Sequence, residues 1–347
     1  MDHVPFAPFL AYVWESFPSE LQAAGQLAFH HQIGADPLWR GAPCPVRVSE
    51  KGIRRRTAEE GDRRITITET PVGTLRMSHM RSVSGNTEFI VEHPLKTPED
   101  FKIQMWIEEH KHYELDLGPV VEHLAGDGRE GVSVGMLLPR GKSAYQLLVE
   151  HLVGTEELIY AVADFPDVVE ELLDVMVTND LAAVSLAVEA PYEYFLSWED
   201  SSTQNYSPGQ YDRYIGSEIG EWCRILGHYG KRYLQHACGH VRDLVARMQA
   251  HGAYGVESIS PPPTGNIGIA EARAAVGDGF AIIGGIEPVT FLNLQGAKFD
   301  AYVERVISEG GGGPFVLANS DSCPPGVTVE KFARVAEIAR GTAPHSS

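Results

Sequence analysis

The chain has 347 residues, is 43% hydrophobic and 22% charged, and carries a net charge of −19. This composition suits a globular enzyme of one large or two small domains. The acidic balance excludes nucleic acid and anionic membranes as expected partners, because no basic field offsets phosphate repulsion.

No apolar run nears the ~20 residues of a membrane span, and the start, Met1–Pro5, lacks the basic region of a signal peptide. A cytoplasmic protein without membrane contact is expected. Its oligomeric state is open, a homodimer included. Val4–Trp14 reads as apolar and extended, closed by Glu15. A helix through Leu21–His31 and a strand or loop near Gly34–Trp39 follow.

Residues 45–92 differ in texture. Val46–Ser49, Arg64–Thr70 and Gly73–His79 alternate in the period-two manner of half-exposed strands, with Thr70-Pro71-Val72-Gly73 as a turn. The segment predicts an antiparallel β excursion rather than a separate domain. Its basic cluster, Lys51–Arg56, reads as a solvated hairpin tip.

From about residue 97 the rhythm becomes strand, helix, strand. Thr97-Pro98-Glu99-Asp100 is a helix start, with proline in the first turn and acids beside the dipole. Strands are predicted at Val132–Leu138, Tyr194–Trp198, Arg232–Ala237, Gly255–Ser258, Phe280–Gly284 and Phe315–Ala318. Helices are predicted at Thr155–Ala163, Pro166–Val188, Ser207–Tyr229, Val241–His251, Ile269–Val276, Val289–Glu309 and Val329–Arg340. With Phe6–Trp14 this gives seven candidate parallel strands, each followed by a helix. Such alternation means a parallel sheet covered by helices. With no GxGxxG fingerprint, a (β/α)8 TIM barrel is favoured over a doubly wound sheet, the whole chain forming one domain. Gly310–Gly313 precedes a strand and reads as a loop, not a phosphate cradle.

The strongest chemical signal is His236-Ala237-Cys238. Residues two apart on a strand share a face, and imidazole and thiolate are common zinc ligands. The pair stops at a glycine, at the carboxyl end of its strand, where barrels keep their active sites. Cys323, far downstream, occupies a similar strand-end turn. Four cysteines in so long a chain do not make a disulfide framework. Cys223 reads as a core thiol, and Cys44 has no assigned role. Collecting the strand ends gives Trp14, Glu15, Trp198, Glu199, Asp200, His236, Cys238, Glu257, Glu287 and Asn319 through Cys323.

His236, Cys238 and Cys323 are the expected metal ligands. Glu257 is either the fourth or a rim acid paired with an arginine. Glu199 and Asp200 are either catalytic, orienting substrate or relaying a proton, or helix caps. Trp14, Glu15, Tyr192, Trp198 and Asn319 are candidate substrate contacts. For the aromatic residues, Tyr194 among them, barrel packing is the alternative. His30-His31 on a helix diverge by about 100° and do not make a metal pair. His110 and His112 read as part of a solvated face.

These residues resemble the uroporphyrinogen decarboxylase superfamily, in its zinc-dependent corrinoid methyltransferase branch. The resemblance lies in Leu234-Gln-His-Ala-Cys-Gly239, Gly252-Ala-Tyr-Gly-Val-Glu-Ser258, Ile283-Gly-Gly-Ile-Glu-Pro288 and Asn319-Ser-Asp-Ser-Cys-Pro-Pro-Gly326. It implies a (β/α)8 barrel holding Zn2+ through His236, Cys238 and Cys323. It also implies transfer of a methyl group from a small methylated substrate, such as a methoxylated aromatic, to a corrinoid. Trp198-Glu-Asp-Ser-Ser-Thr-Gln204 is similar to a demethylase pattern, departing from it at Ser201-Ser202. No Asp-x-His-x-x-Gly run is present, so the corrinoid is expected on a partner protein or free. Methylation of a thiol by methyl-corrinoid, porphyrinogen decarboxylation and a non-enzymatic tetrapyrrole- or corrinoid-binding scaffold are the alternatives. The decarboxylase branch fits less well, because its arginine-bearing N-terminal stretch has no counterpart here.

Overall fold

The structure is a computed structural model, and it describes residues 3–82 and 87–342. Among the described residues thirteen strands run in chain order: β1 Leu38–Ala42, β2 Val46–Glu50, β3 Arg54–Glu60, β4 Arg63–Thr70, β5 Gly73–Arg81, β6 Glu88–Glu92, β7 Lys111–Leu115, β8 Val132–Met136, β9 Tyr194–Ser197, β10 Arg232–His236, β11 Gly255–Ile259, β12 Ala281–Ile286 and β13 Phe315–Asn319. The chain divides into two compact units. One holds residues 1–45, 116–137 and 188–347, and the other holds residues 46–115 and 138–187.

The first unit is built on a parallel sheet in the order β1-β8-β9-β10-β11-β12-β13. Helices follow the strands as the alternation predicts, among them Ser217–His228, Ile269–Val276, Gly296–Glu309 and Val329–Gly341. Val134, Leu196, Leu234, Ile283 and Ala318, from five strands, form one buried cluster. These side chains share one face because alternate strand residues point the same way. The two edge strands are linked through Pro5–Ala7. Leu317 N–H donates to Pro5 O at 2.9 Å, Ala7 N–H to Leu317 O at 2.9 Å, and Asp36 N–H, just ahead of β1, to Phe6 O at 2.8 Å.

The first parallel strand is therefore Leu38–Ala42, not Phe6–Trp14. Of the latter, Phe6 makes a single parallel bridge to Leu317, and Ala11–Trp14 coils into a short helix. The proline pair Pro5 and Pro8 removes the donors a ladder needs there. The predicted helix through Leu21–His31 is split at Gly25, whose φ of +87° suits glycine, into Ser19–Ala24 and Gln26–Ile33.

The second unit carries the antiparallel excursion. β3-β4-β5-β6 form a meander, and β2 pairs with β7. The sequence pattern hides β3, since all seven of its residues are exposed and none alternates. Its arginines, Arg54–Arg56, are the first three residues of the strand rather than a tip, and cross-strand ion pairs such as Arg56–Glu69 at 2.6 Å engage them. The expected helix start is found at Pro98–Glu109, where Thr97 and Asp100 also form a reciprocal cap. The stretch at that helix's end is a solvated face only in part, with Glu109 and His112 exposed and His110 half-buried. Glu108 is buried, held by Lys111 at 2.7 Å and Gln104 at 2.8 Å. Burial alone raises its pKa, but Arg140 and Lys111 bring it below the usual value. His110 stacks on Trp106 at 3.7 Å. Among the described residues no helix is long and apolar enough to cross a membrane.

Candidate metal centre

Three strand ends of the first unit build the site. His236 is the last residue of β10, and register places it beside Glu257 on β11. Cys238 follows two residues later. Asp200 lies three residues past the end of β9, with a left-handed φ of +44°. Aspartate tolerates that conformation better than most residues, and such strain gathers at functional sites.

The candidate ligand atoms of Asp200, His236 and Cys238 all lie within 4.8 Å of one another. Asp200 Oδ1 is 3.1 Å from His236 Nε2 and accepts from Cys238 Sγ at 3.3 Å. Donors about 2.0–2.3 Å from a tetrahedral zinc stand about 3.3–3.8 Å apart, so the spacing is close to what that ion requires. Imidazole, thiol and carboxylate are also the donor types zinc takes. The His236 and Glu257 side chains are buried, while Asp200 is 35% exposed, so the group faces solvent through the aspartate.

Behind the group lies a buried charge chain. His236 Nδ1 bonds to Glu257 Oε2, and Arg40 Nη1 donates to Glu257 Oε1 at 2.5 Å. Arg40 Nη2 donates to Ala7 O at 2.9 Å, and the guanidinium stands 4.8 Å over the Phe9 ring. Burial works against charge on both His236 and Glu257. Even so, the charge of Arg40, joined by that of His236, holds the Glu257 carboxyl below its usual range. The acids around His236, Glu257 foremost, raise its pKa well above the ordinary imidazole value. Burial lifts the Cys238 thiol to about 11, partly opposed by its bond to His236.

The sequence-predicted residues divide. Asp200, His236, Cys238 and Trp198 come together, the Trp198 ring 4.8 Å from that of His236 and 5.9 Å from Phe9. Glu257 adjoins the group, in the arginine-paired role that the sequence left open. Cys323 is buried on the segment after β13 and is not among the three clustered donors. Burial and then Asp321 raise its pKa, and Asp321 in turn senses His236, Glu257 and Asp200.

The remaining predicted residues lie elsewhere. Glu199 accepts from Ser197 Oγ at 2.6 Å, and Ser197 Oγ also bonds Tyr233 Oη. In the same layer, Tyr211 Oη donates to Gln235 Oε1 and Gln235 Nε2 to Ser201 Oγ, each at 2.9 Å. Ser197, Tyr233 and Gln235 alternate with the core-cluster residues Leu196 and Leu234, so this network occupies the opposite face of the sheet. Tyr192 precedes β9 and so stands at the amino end of a parallel sheet, away from His236. It packs on Gly135, and its buried hydroxyl has no partner. Burial pushes its pKa up to about 12. Tyr194 tilts against Tyr254 near the same end. Trp14 meets Phe17 and Phe29 edge-on in a packed aromatic group, and Glu15 is an exposed helix end. Asn319 holds the N-terminal segment, accepting from Phe9 N–H at 2.8 Å and donating to Phe9 O at 2.7 Å. Glu287 caps the helix Pro288–Asn293.

No protein-family model matches the chain, and no curated protein sequence does. The fold is shared with a methyltransferase from Methanosarcina mazei. That structure superposes with a TM-score of 0.59 at 14% identity, over 98% of this chain and 94% of its own. A B12-independent methionine synthase from Shewanella sp. W3-18-1, in complex with selenomethionine, aligns over 98% of this chain and 97% of its own at 8% identity, with a TM-score of 0.47. At 14% identity the likeness to the Methanosarcina mazei protein is one of fold alone.

Arg40 is the residue that sequence reasoning missed. Its signal was a lone cation in Pro37-Leu-Trp-Arg-Gly41, an otherwise apolar run ending in glycine. Gly41 has a φ of +76°, and a Cβ there would come within 2.7 Å of Trp198 Cζ2. The tight approach of β1 to the site therefore depends on that glycine.

Proposed function

We propose that the protein is a zinc-dependent methyltransferase on a (β/α)8 barrel, moving a methyl group from a small methylated substrate to a corrinoid. The observation that carries the reading is the Asp200, His236 and Cys238 group, one face open to solvent, at the carboxyl ends of parallel strands. In barrels of this kind that end carries the chemistry. Cys323, the ligand that the resemblance adds, is the proposed fourth donor, brought in by a shift of the 320–326 segment. The chain is read as one barrel domain bearing an insertion, and its corrinoid protein as a cytoplasmic partner.

Zinc bound there would supply Lewis acidity to the heteroatom that the methyl group leaves. Trp198 forms the apolar wall beside His236, against which a flat methylated substrate stacks. Asp200, whose side chain is 35% exposed, would yield its place on the ion to the incoming heteroatom, leaving His236, Cys238 and Cys323 as the three protein ligands. In the reaction, the bond between methyl carbon and substrate oxygen breaks. The corrinoid, as acceptor substrate, would supply the electron pair of the new bond to the methyl carbon, while the substrate oxygen would keep its own pair and take a proton from water.

The test is to incubate zinc-loaded protein with a panel of methoxylated aromatics and cob(I)alamin, following the cobalt absorption spectrum. Conversion to methylcobalamin, dependent on both substrate and protein, is the expected result. Methylcobalamin consumed on adding a thiol would instead support thiol methylation. No spectral change in either direction would defeat the proposal.

A further inference from the structure

We propose that Arg40 and Glu257 form a positioning pair for His236, and that Glu257 is not itself a ligand of the metal. The inference rests on the zinc reading above and removes one acid from its ligand set.

Both oxygens of Glu257 are already committed. Oε1 takes Arg40 Nη1 at 2.5 Å, and Oε2 takes His236 Nδ1. The Arg40 and Glu257 side chains are 1% and 0% exposed. Moving the carboxylate onto a cation would leave a guanidinium buried without its counter-charge, a costly state. With Nδ1 engaged, His236 can offer a metal only Nε2, the nitrogen that lies 3.1 Å from Asp200 Oδ1. The ring orientation and the tautomer are thus set from behind, as carboxylates often set metal-binding histidines.

The backbone is shaped for this contact. The β11–β12 register shifts between Glu257 and Ile259, and Ser258 between them has a left-handed φ of +84°. A serine rarely adopts that conformation, and bulges of this kind re-aim side chains beside active sites. Arg40 is fixed in turn by Ala7 O and by the Phe9 ring, and Phe9 is clamped by Asn319. Segments distant in sequence therefore converge on one imidazole nitrogen. The contact between β1 and β11 crosses the interior of the sheet, which a purely structural surface pair would not need to do.

The test is zinc titration of the full chain against a chromophoric chelator, with cobalt(II) substitution as a spectroscopic reporter. Three variants are compared: Glu257→Gln, the double variant Arg40→Met with Glu257→Gln, and Asp200→Asn. The double variant removes both charges together and so guards against an unpaired buried ion unfolding the protein. The pair's role predicts one metal per chain in Glu257→Gln and in the double variant, with zinc affinity lowered about 10- to 100-fold. Their cobalt bands stay near the wild-type positions because the donors are unchanged, while Asp200→Asn shifts them. The proton NMR spectrum of the cobalt protein in water shows an exchangeable, strongly shifted Nδ1–H resonance in wild type, displaced in Glu257→Gln. Cobalt bands altered by Glu257→Gln as by loss of a ligand would overturn the inference, and so would unchanged affinity in both variants. A wild-type protein that binds neither zinc nor cobalt would instead defeat the metal reading itself.

Discussion

Two buried polar regions flank the same strands, and they differ in a way that separates chemistry from packing. On one face of β9 and β10, Asp200, His236 and Cys238 gather, backed by Glu257 and Arg40, with charged groups paired and Asp200 open to solvent. On the other face, Ser197, Glu199, Ser201, Tyr211, Tyr233 and Gln235 form a closed hydrogen-bonded layer. Neighbouring acids, Glu199 and Asp200, thus fall into different regions. Burial with hydrogen bonds satisfied stabilises a fold. Burial with opposed donors left facing solvent leaves room for a ligand.

The largest effect that would break this contrast concerns His236. Replacing it by alanine is expected to abolish both metal retention and methyl transfer, measured by metal analysis and by the cobalt spectrum. Retained metal would mean that the open face is not the binding face.

Next comes a pH effect behind the metal face. His30 stacks on Trp39 at 5.3 Å, and burial, then the charge of Arg40, lowers its pKa to about 4. The folded value lies below the unfolded one near 6.5, so the unfolded chain binds the proton more readily. Stability from this group is complete above pH 6.5 and is lost as pH falls toward 4. Denaturant titrations should show about 2–3 kcal/mol less stability from this group at pH 4.5 than at pH 7. His30→Phe should flatten that part of the dependence.

The closed layer is probed by Glu199→Gln, which is expected to cost about 1–3 kcal/mol of folding stability through disturbed buried hydrogen bonds. Zinc affinity should stay at the wild-type value. A variant of normal stability that has lost activity would return Glu199 to the catalytic role first read from its position. The smallest effect belongs to Tyr192→Phe at the amino end of the sheet. Removing a buried hydroxyl without a partner should leave stability unchanged or raise it by about 1 kcal/mol. Substrate KM should not move.

Much of this architecture was legible in the sequence. Six of the seven parallel strands carry dense apolar runs ending in glycine, small or polar residues, and period alone finds them. β1 was misplaced because its Leu38-Trp39-Arg40-Gly41 core contains a buried charge, which local pattern reads as surface. His236 and Cys238 could be paired by parity along the strand, and Glu257 could be placed beside them as the next strand's end. Parity carried past β9 also puts Trp198 and Asp200 on the His236 face and Glu199 on the other, a division missed because both acids were grouped together as strand-end residues. What parity could not supply was the left-handed backbone at Asp200. Nor could it supply Arg40, whose partner lies 217 residues away in sequence. Asn319 looked like a substrate contact because strand ends are the expected place for one, but its amide is taken up by the backbone of Phe9.

The most direct test of the central claim is the zinc content of the purified chain after dialysis, measured beside Cys238→Ser. One zinc per chain in the wild type and none in the variant is the predicted result. A wild-type chain without zinc after loading, or a Cys238→Ser chain that keeps it, would contradict the account.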